Sequence, residues 1–482
     1  MTIRHEVGVP GLKRVLIFLL LLLPASWTWL SCGGGASNST QVSGFKYRAF
    51  ISNRVSAGSI FAGVYIVNVQ TDLRSLAAPL SAGATPGMMV LTPNRAQTLV
   101  FSGDGTQFSD NQLTIINNAT ETSAAHMTLP GMTESIVVSP DSSTAYVAVP
   151  EPTVVVQGQS PGVAEAISLS SGAVIGQVNI PSVHYLSIDN SGNRILAFSD
   201  VLASLASPCD QTPSFLFIIT PSQVGIAGCP AVPVPGLIHP FDHPVTAFFT
   251  SDDSTAYVVN CGAECGGLQA SVQKLEMTPA QCLPDGVCKA VAVAAASVAL
   301  VNGSTMYLAG TPYTAGGGPS LLCSTGPTAT QAQYCGMLTI VDLSTMAVTN
   351  SGIVITDGYH NRIALGSDGQ LFIGARNCTE IVPGVQPPSG AETRGCLSIY
   401  NTLTTAEGGV PAGGVVVPPE TGAVTGIQPI PGREVVYVVQ GQGVQGGTLY
   451  IYDTTTDLLD AVEEKKINNL IGDFVDVKTV DF

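Results

Sequence analysis

Positive charge is what this chain lacks most. Its 482 residues carry 18 lysines and arginines against 34 aspartates and glutamates, a formal net charge of −16 at pH 7. Three of the basic residues, Arg4, Lys13 and Arg14, fall within the first 14 positions. What remains is too sparse to follow a phosphate backbone or grip anionic headgroups, which argues against a nucleic-acid partner and against a basic membrane-binding face. The only tryptophans are Trp27 and Trp29, and there are six histidines. Charged residues make up 11% of the chain, against 52 glycines and 32 prolines, a balance that suits a turn-rich all-β protein. No strong amphipathic helix is written into it. H-E-x-x-H, G-x-x-x-x-G-K-[ST] and D-x-D-x-D-G are all missing, which removes the common zinc-protease, P-loop and calcium-loop readings. GQSPG at 158–162 and GQGVQG at 441–446 match a nucleophile elbow and a dinucleotide fingerprint in letters only, because each leads into a strand where a helix should start.

What the chain does have is a phrase that it repeats. IVVSPDSSTAYV (136–147) returns as AFFTSDDSTAYV (247–258). Weaker copies are MVLTPNRAQTLVF (89–101), LSIDNSGNRILAF (186–198), VALVNGSTMYLAG (298–310), IALGSDGQLFIGA (363–375) and GIQPIPGREVVYVV (426–439). Each is an apolar strand, a tight polar turn and a second apolar strand. In the turns, Asp141, Asp252 and Asp368 suit side-chain hydrogen bonds to their own backbone. A third strand with a Thr/Ser-rich end follows, as in MLTIVDLST (337–345), and then a more polar fourth. A recurring unit of four antiparallel strands, A to D, predicts a single β-propeller. Second strands near Phe50, Val100, Val147, Leu196, Val258, Leu308, Phe372 and Val438 give eight blades, with seven as the alternative. The first of them, in YRAFISN (47–53), has no A strand before it, whereas DFVDVKTVDF (473–482) is a strand without a hairpin partner. Joining the two closes the ring and leaves no open edge.

The SPDSSTAYV phrase followed by an IVDLST-type strand resembles the YVTN-type propellers, whose relatives include lactonase-like propeller proteins. The resemblance covers residues 45–482 and implies the fold, which hosts binding proteins and enzymes alike.

The N-terminus sets an address. A basic stretch (1–14) precedes the apolar run 15–23, which Pro24 ends and which is too short to cross a bilayer. Trp29-Leu30-Ser31-Cys32-Gly33 then resembles a bacterial lipobox, although Trp29 stands where that family usually has leucine. The expected organisation is a lipoprotein-type signal peptide (1–31), a flexible tether (32–44) and the propeller (45–482), with Cys32 lipidated and the protein at the cell envelope, in the outer membrane by resemblance; plain secretion is the alternative. Ten cysteines remain, an even number, which in an exported protein reads as disulfides. The expected pairs are Cys209–Cys229, Cys261–Cys265, Cys282–Cys288, Cys323–Cys335 and Cys378–Cys396.

In a four-stranded blade the B–C and D–A loops share one face of the ring. The B–C loops at 200–213, 311–336 and 376–395 are long; Cys323 and Cys335 close the second, Cys378 and Cys396 the third, and Cys209 and Cys229 flank strand C after the first. Long loops gathered on one face of a rigid scaffold suit binding. His184, His243, His360 and Glu134 fall at or just before A strands, at the channel mouth on that same face. By resemblance to lactonase-like propellers, YHNRIALGSDG could supply one histidine of such a site. Arg362 is the one channel arginine the sequence offers, fewer than a phosphosugar or lactone site would want. The functional expectation is a lipid-anchored, monomeric, non-catalytic binding module for an envelope protein or glycan, without cofactor or metal. The alternative is a lactonase-like hydrolase or isomerase using His184, His360 and Glu134.

Overall fold

The computed structural model describes residues 43–481 except 55–60, 104–109, 153–160, 208, 227, 235–240, 278–279, 282–288, 316, 321–334, 377, 379–394, 407–409, 419–421, 442–447, 456–457 and 460–471. The signal-peptide and lipidation readings, Cys32 included, lie outside the described residues. The rest forms eight antiparallel sheets, each running A–B–C–D from the channel outward. The protein is an eight-bladed β-propeller. The helical turns described in full are both 3-10, Pro221–Gln223 and Gly262–Cys265.

Inner strands carry the apolar runs because a blade is covered on both faces by its neighbours. Thr144–Val149 (strand B of blade 3) and Gln370–Arg376 (strand B of blade 7) are buried along almost their whole length. Ala173–Asn179, the outer strand of blade 3, is mostly exposed. The core is therefore divided into eight clusters, each shared by two adjacent blades. One joins Leu99, Phe101 and Leu113 of blade 2 to Ile136, Val147 and Ile167 of blade 3. Another joins Tyr437 and Val439 of blade 8 to Ile51, Val67 and Phe474 of blade 1. No blade buries its faces alone, so the ring must close for the last cluster to exist.

The repeated turn explains the repeated phrase. In blade 3 the amides of Ser139 and Ser142 donate to the carbonyls of Thr144 and Ser139, both at 2.8 Å. Ser142 takes the left-handed conformation (φ 61°), as do Arg95, Gly192, Asp253 and Gly432 at equivalent turns. Asp141 accepts from the Ser143 amide (3.0 Å) and the Ser139 hydroxyl (2.6 Å), and Asp252 plays the same part in blade 5. These bonds to the charged form pull the exposed Asp252 carboxyl down to about 2.

Closure follows the expected route. Phe474–Thr479 is strand A of blade 1 and pairs antiparallel with strand B, Arg48–Asn53, with Ile51 opposite Val477. Arg48, only 6% exposed, fastens the seam. It grips Asp481 with Nε (2.6 Å) and Nη2 (2.7 Å), and reaches Glu121 of blade 2 with Nη1 (2.8 Å). Arg433 of blade 8 pairs with Asp72 of blade 1 at 2.6 Å, a second fastening across the same seam.

Candidate functional site

The A strands reach the channel mouth with a device that the sequence does not print. Strand A of blade 2, 4, 5, 7 and 8 each carries a bulge within its first few residues, at Pro86/Met89, Val183/Tyr185, Pro244/Thr246, His360/Arg362 and Val424/Gly426. An extra residue in one strand shifts the side chains beyond it to the other face. Below these bulges lies a cavity of about 330 Å³. Its wall includes Glu134, from the loop entering blade 3, and Tyr185, from strand A of blade 4 (Val183–Ile188). Tyr359 and Arg362 come from strand A of blade 7 (Tyr359–Leu365). Arg54 and Arg376 each stand at the end of a B strand, in blades 1 and 7. B-strand ends and A-strand starts meet on the face that carries the long B–C loops.

Two phenols bridge the channel. The Tyr185 hydroxyl donates to Glu134 Oε2 at 3.1 Å and lies 3.4 Å from the Tyr359 hydroxyl, although their blades are three apart in the ring. Burial first, then the neighbouring phenol and carboxylate, hold the Tyr185 hydroxyl far above its ordinary range; Tyr359 is also raised, chiefly by burial. Both remain protonated hydrogen-bond donors.

Three guanidinium groups share the cavity with them, Arg376 directly across the strand pair from Tyr359. Arg362 is held by the Thr425 carbonyl (Nε, 2.6 Å) and by the Asn361 carbonyl (Nη1, 2.9 Å). With the Asn361 amide oxygen turned toward it, Arg376 donates from Nε (2.7 Å) and Nη2 (3.1 Å). Arg54 Nε is buried and has no hydrogen-bond partner among the described residues. Burial lowers the Arg376 pKa, and the positive charges of Arg362 and Arg54 lower it further. In a protein with 18 lysines and arginines, three guanidiniums crowd one cavity against one carboxylate among the described residues, that of Glu134. An anion placed there would relieve that repulsion and meet bidentate donors.

The sequence readings divide at this point. The structure brings Glu134 and Arg362 to one cavity, but none of His184, His243 and His360 lines it. His184 points at Asp200 (3.3 Å), and His243 pairs with Asp242 (3.0 Å), which also accepts the Leu268 and Gln269 amides. His360 is fully buried, and burial pushes its imidazole down to about 4. Its neighbours Tyr359 and Asn361 face the cavity in its place. The reading of Arg362 as the one channel arginine is corrected to three, with Arg54 and Arg376 added. A signal for the pair was present: FISNR (50–54) and FIGAR (372–376) put an arginine at the same position after the same strand.

Three disulfides are present among the described residues: Cys209–Cys229, Cys261–Cys265 and Cys378–Cys396. Cys335 is also disulfide-bonded, while Cys282, Cys288 and Cys323 lie outside the described residues. Such bonds point to an oxidising, extracytoplasmic environment. Among the described residues, no group of three or more His, Cys, Asp or Glu gathers to hold a metal.

No protein-family model and no curated protein matches this chain. Solved structures do. Hydrazine synthase of Kuenenia stuttgartiensis is 12% identical, over 79% of this chain and 99% of that one, with a TM-score of 0.49. A 6-phosphogluconolactonase-like protein of Bacteroides fragilis is 12% identical, over 92% and 99%, with a TM-score of 0.43. The dihydro-heme d1 dehydrogenase NirN is 11% identical, over 84% and 78%, with a TM-score of 0.41. At these identities the likeness is one of fold, and no residue role is carried over from it.

Proposed function

We propose that this protein is an extracytoplasmic binding module that holds a small anionic group in its channel-mouth cavity. The convergence of Arg54, Arg362 and Arg376 carries the reading. Three guanidiniums fit a carboxylate or phosphate, and the phenols of Tyr185 and Tyr359 add neutral donors. The ligand class is the acidic portion of an envelope glycan or protein, and the disulfide-bonded loops around the mouth form the surface against which the rest of it lies. Anchoring through Cys32 and residence in the envelope belong to the same proposal.

The test is calorimetric titration with sulfate and with citrate. We expect binding by the parent, a loss of about tenfold or more in affinity for Arg376→Ala, and a comparable loss for Arg54→Ala, since a charge-assisted contact is worth about 1.5–3 kcal/mol. Equal affinity in parent and both variants would overturn the reading.

One observation favours a second reading. A carboxylate hydrogen-bonded to a phenol and facing arginines could orient water toward a polarised ester carbonyl, as a lactonase-like hydrolase or isomerase requires. Turnover of a lactone panel, lost in Glu134→Gln, would replace binding by catalysis.

A further inference from the structure

Behind the cavity wall stands a carboxyl group that the proposed site does not use. Glu264 lies in the 3-10 turn Gly262–Cys265, which the Cys261–Cys265 disulfide closes. Its Oε1 is 3.3 Å from the Ser297 hydroxyl, and its Oε2 accepts the Thr311 amide at 3.1 Å. Ser297 is part of the cavity wall. Thr311 in turn donates its hydroxyl to the Gly358 carbonyl at 2.8 Å, one residue before Tyr359. Glu264 therefore touches two supports of the cavity without entering it.

We infer that Glu264, acting through Ser297, couples occupancy of the arginine cavity to the uptake of one proton. The inference rests on the anion reading above. When Glu264 is neutral, its O–H donates to Ser297 Oγ, and the serine proton, otherwise directed only at the Ala309 carbonyl across a long 3.5 Å, can turn to a ligand. When Glu264 is ionised, Ser297 must donate to it, so the serine presents lone pairs to the cavity and a negative charge stands behind it. Both changes disfavour an anion.

The surroundings fix the pH at which this happens. Burial raises the Glu264 carboxyl to about 8, against the two hydrogen bonds from Thr311 and Ser297, which pull it down. The titratable groups that feel its charge are Tyr313, which also feels Asp357, and Tyr359. His243 borders the same turn at Gly266 and is paired with Asp242. Across the wall stand Glu134 and the three arginines. Binding and protonation are reciprocal, so an anion that prefers the neutral acid draws in a proton when it binds.

Sulfate is the probe, because its own charge is constant over this range. Its affinity for the parent protein should fall by about fivefold or more between pH 6.5 and 9.5, the lower end for coupled sites. Near pH 8, titration in buffers of different ionisation enthalpy should register proton uptake on binding. Glu264→Gln keeps a donor toward Ser297 and should bind sulfate at pH 9.5 as the parent does at pH 6.5. Ser297→Ala, which removes the relay but not the acid, should flatten the profile and carries the test if the first variant does not fold. A flat parent profile, or an unchanged slope in Glu264→Gln, overturns the coupling alone. No sulfate binding at any pH overturns the coupling and the anion reading together.

Discussion

At the scale of single residues, this protein keeps ionisable groups under unusual constraint. His360 is the clearest case. It sits in strand A of blade 7 with no exposure, against Gly336 and the Thr356 carbonyl, where a charged imidazole cannot be hydrated. Its folded pKa of about 4 lies below the ordinary value of 6.5. Between those two values the unfolded chain binds a proton that the folded chain refuses. Stability is therefore full above pH 6.5 and is lost as pH falls toward 4, on the order of 3 kcal/mol for this group alone. His360→Gln, which cannot be charged, should show a smaller fall in melting temperature between pH 6.5 and 4 than the parent. Parallel acid profiles would place the acid-sensitive group elsewhere. The sequence displayed this histidine but not its orientation. An A-strand position says nothing of which face a side chain takes once a bulge has intervened, and the bulge between His360 and Arg362 decides it. The same bulges explain why the entry residues of different blades could not be aligned in one register.

At the scale of elements, the strands and their turns were legible because the apolar–turn–apolar phrase recurs in seven blades with a left-handed position in many of its turns. The cavity was not, since its wall is assembled from residues as far apart as Arg54 and Val475, each unremarkable in its own segment. FISNR and FIGAR became meaningful only when their blades were seen to be close enough for Arg54 and Arg376 to feel each other's charge. The disulfides are element-scale features too, and they should not be equal. Cys378 and Cys396 are 18 residues apart in sequence, whereas Cys261 and Cys265 are separated by 4. Chain entropy assigns the first about 3 kcal/mol and the second less. We expect Cys378→Ser with Cys396→Ser to lower stability to urea clearly more than Cys261→Ser with Cys265→Ser. The reverse order would mean that the small loop's bridge holds more than its own turn.

At the scale of the whole molecule, the ring depends on its seam. Removing 473–482 takes away strand A of blade 1, the Arg48–Asp481 pair, and Phe474 and Val477 from the cluster that blades 8 and 1 share. It also removes Asp476, which accepts the Met89 amide of blade 2 at 2.9 Å, and Val475, which lines the cavity. An ordinary terminus loses little when trimmed by ten residues. Here we expect a melting temperature lower by about 10 °C or more, since several kcal/mol of buried contacts go at once. A truncated protein that melts with the parent would show that the seam contributes nothing to the stability of the ring.

The seam also orders events in time. Asp476 meets Ser52 at a sequence separation of 424. Seven blades can stack as they are synthesised, but the first stays three-stranded until the tenth-to-last residue and those after it are free to move. Contacts of this span make folding slow, and until they form, the inner edge of Arg48–Asn53 is open to any passing strand. Under the export proposed above, this delay leaves the chain in a form that can still be threaded. A ring that cannot lock before strand Phe474–Thr479 arrives stays open until that strand has been delivered.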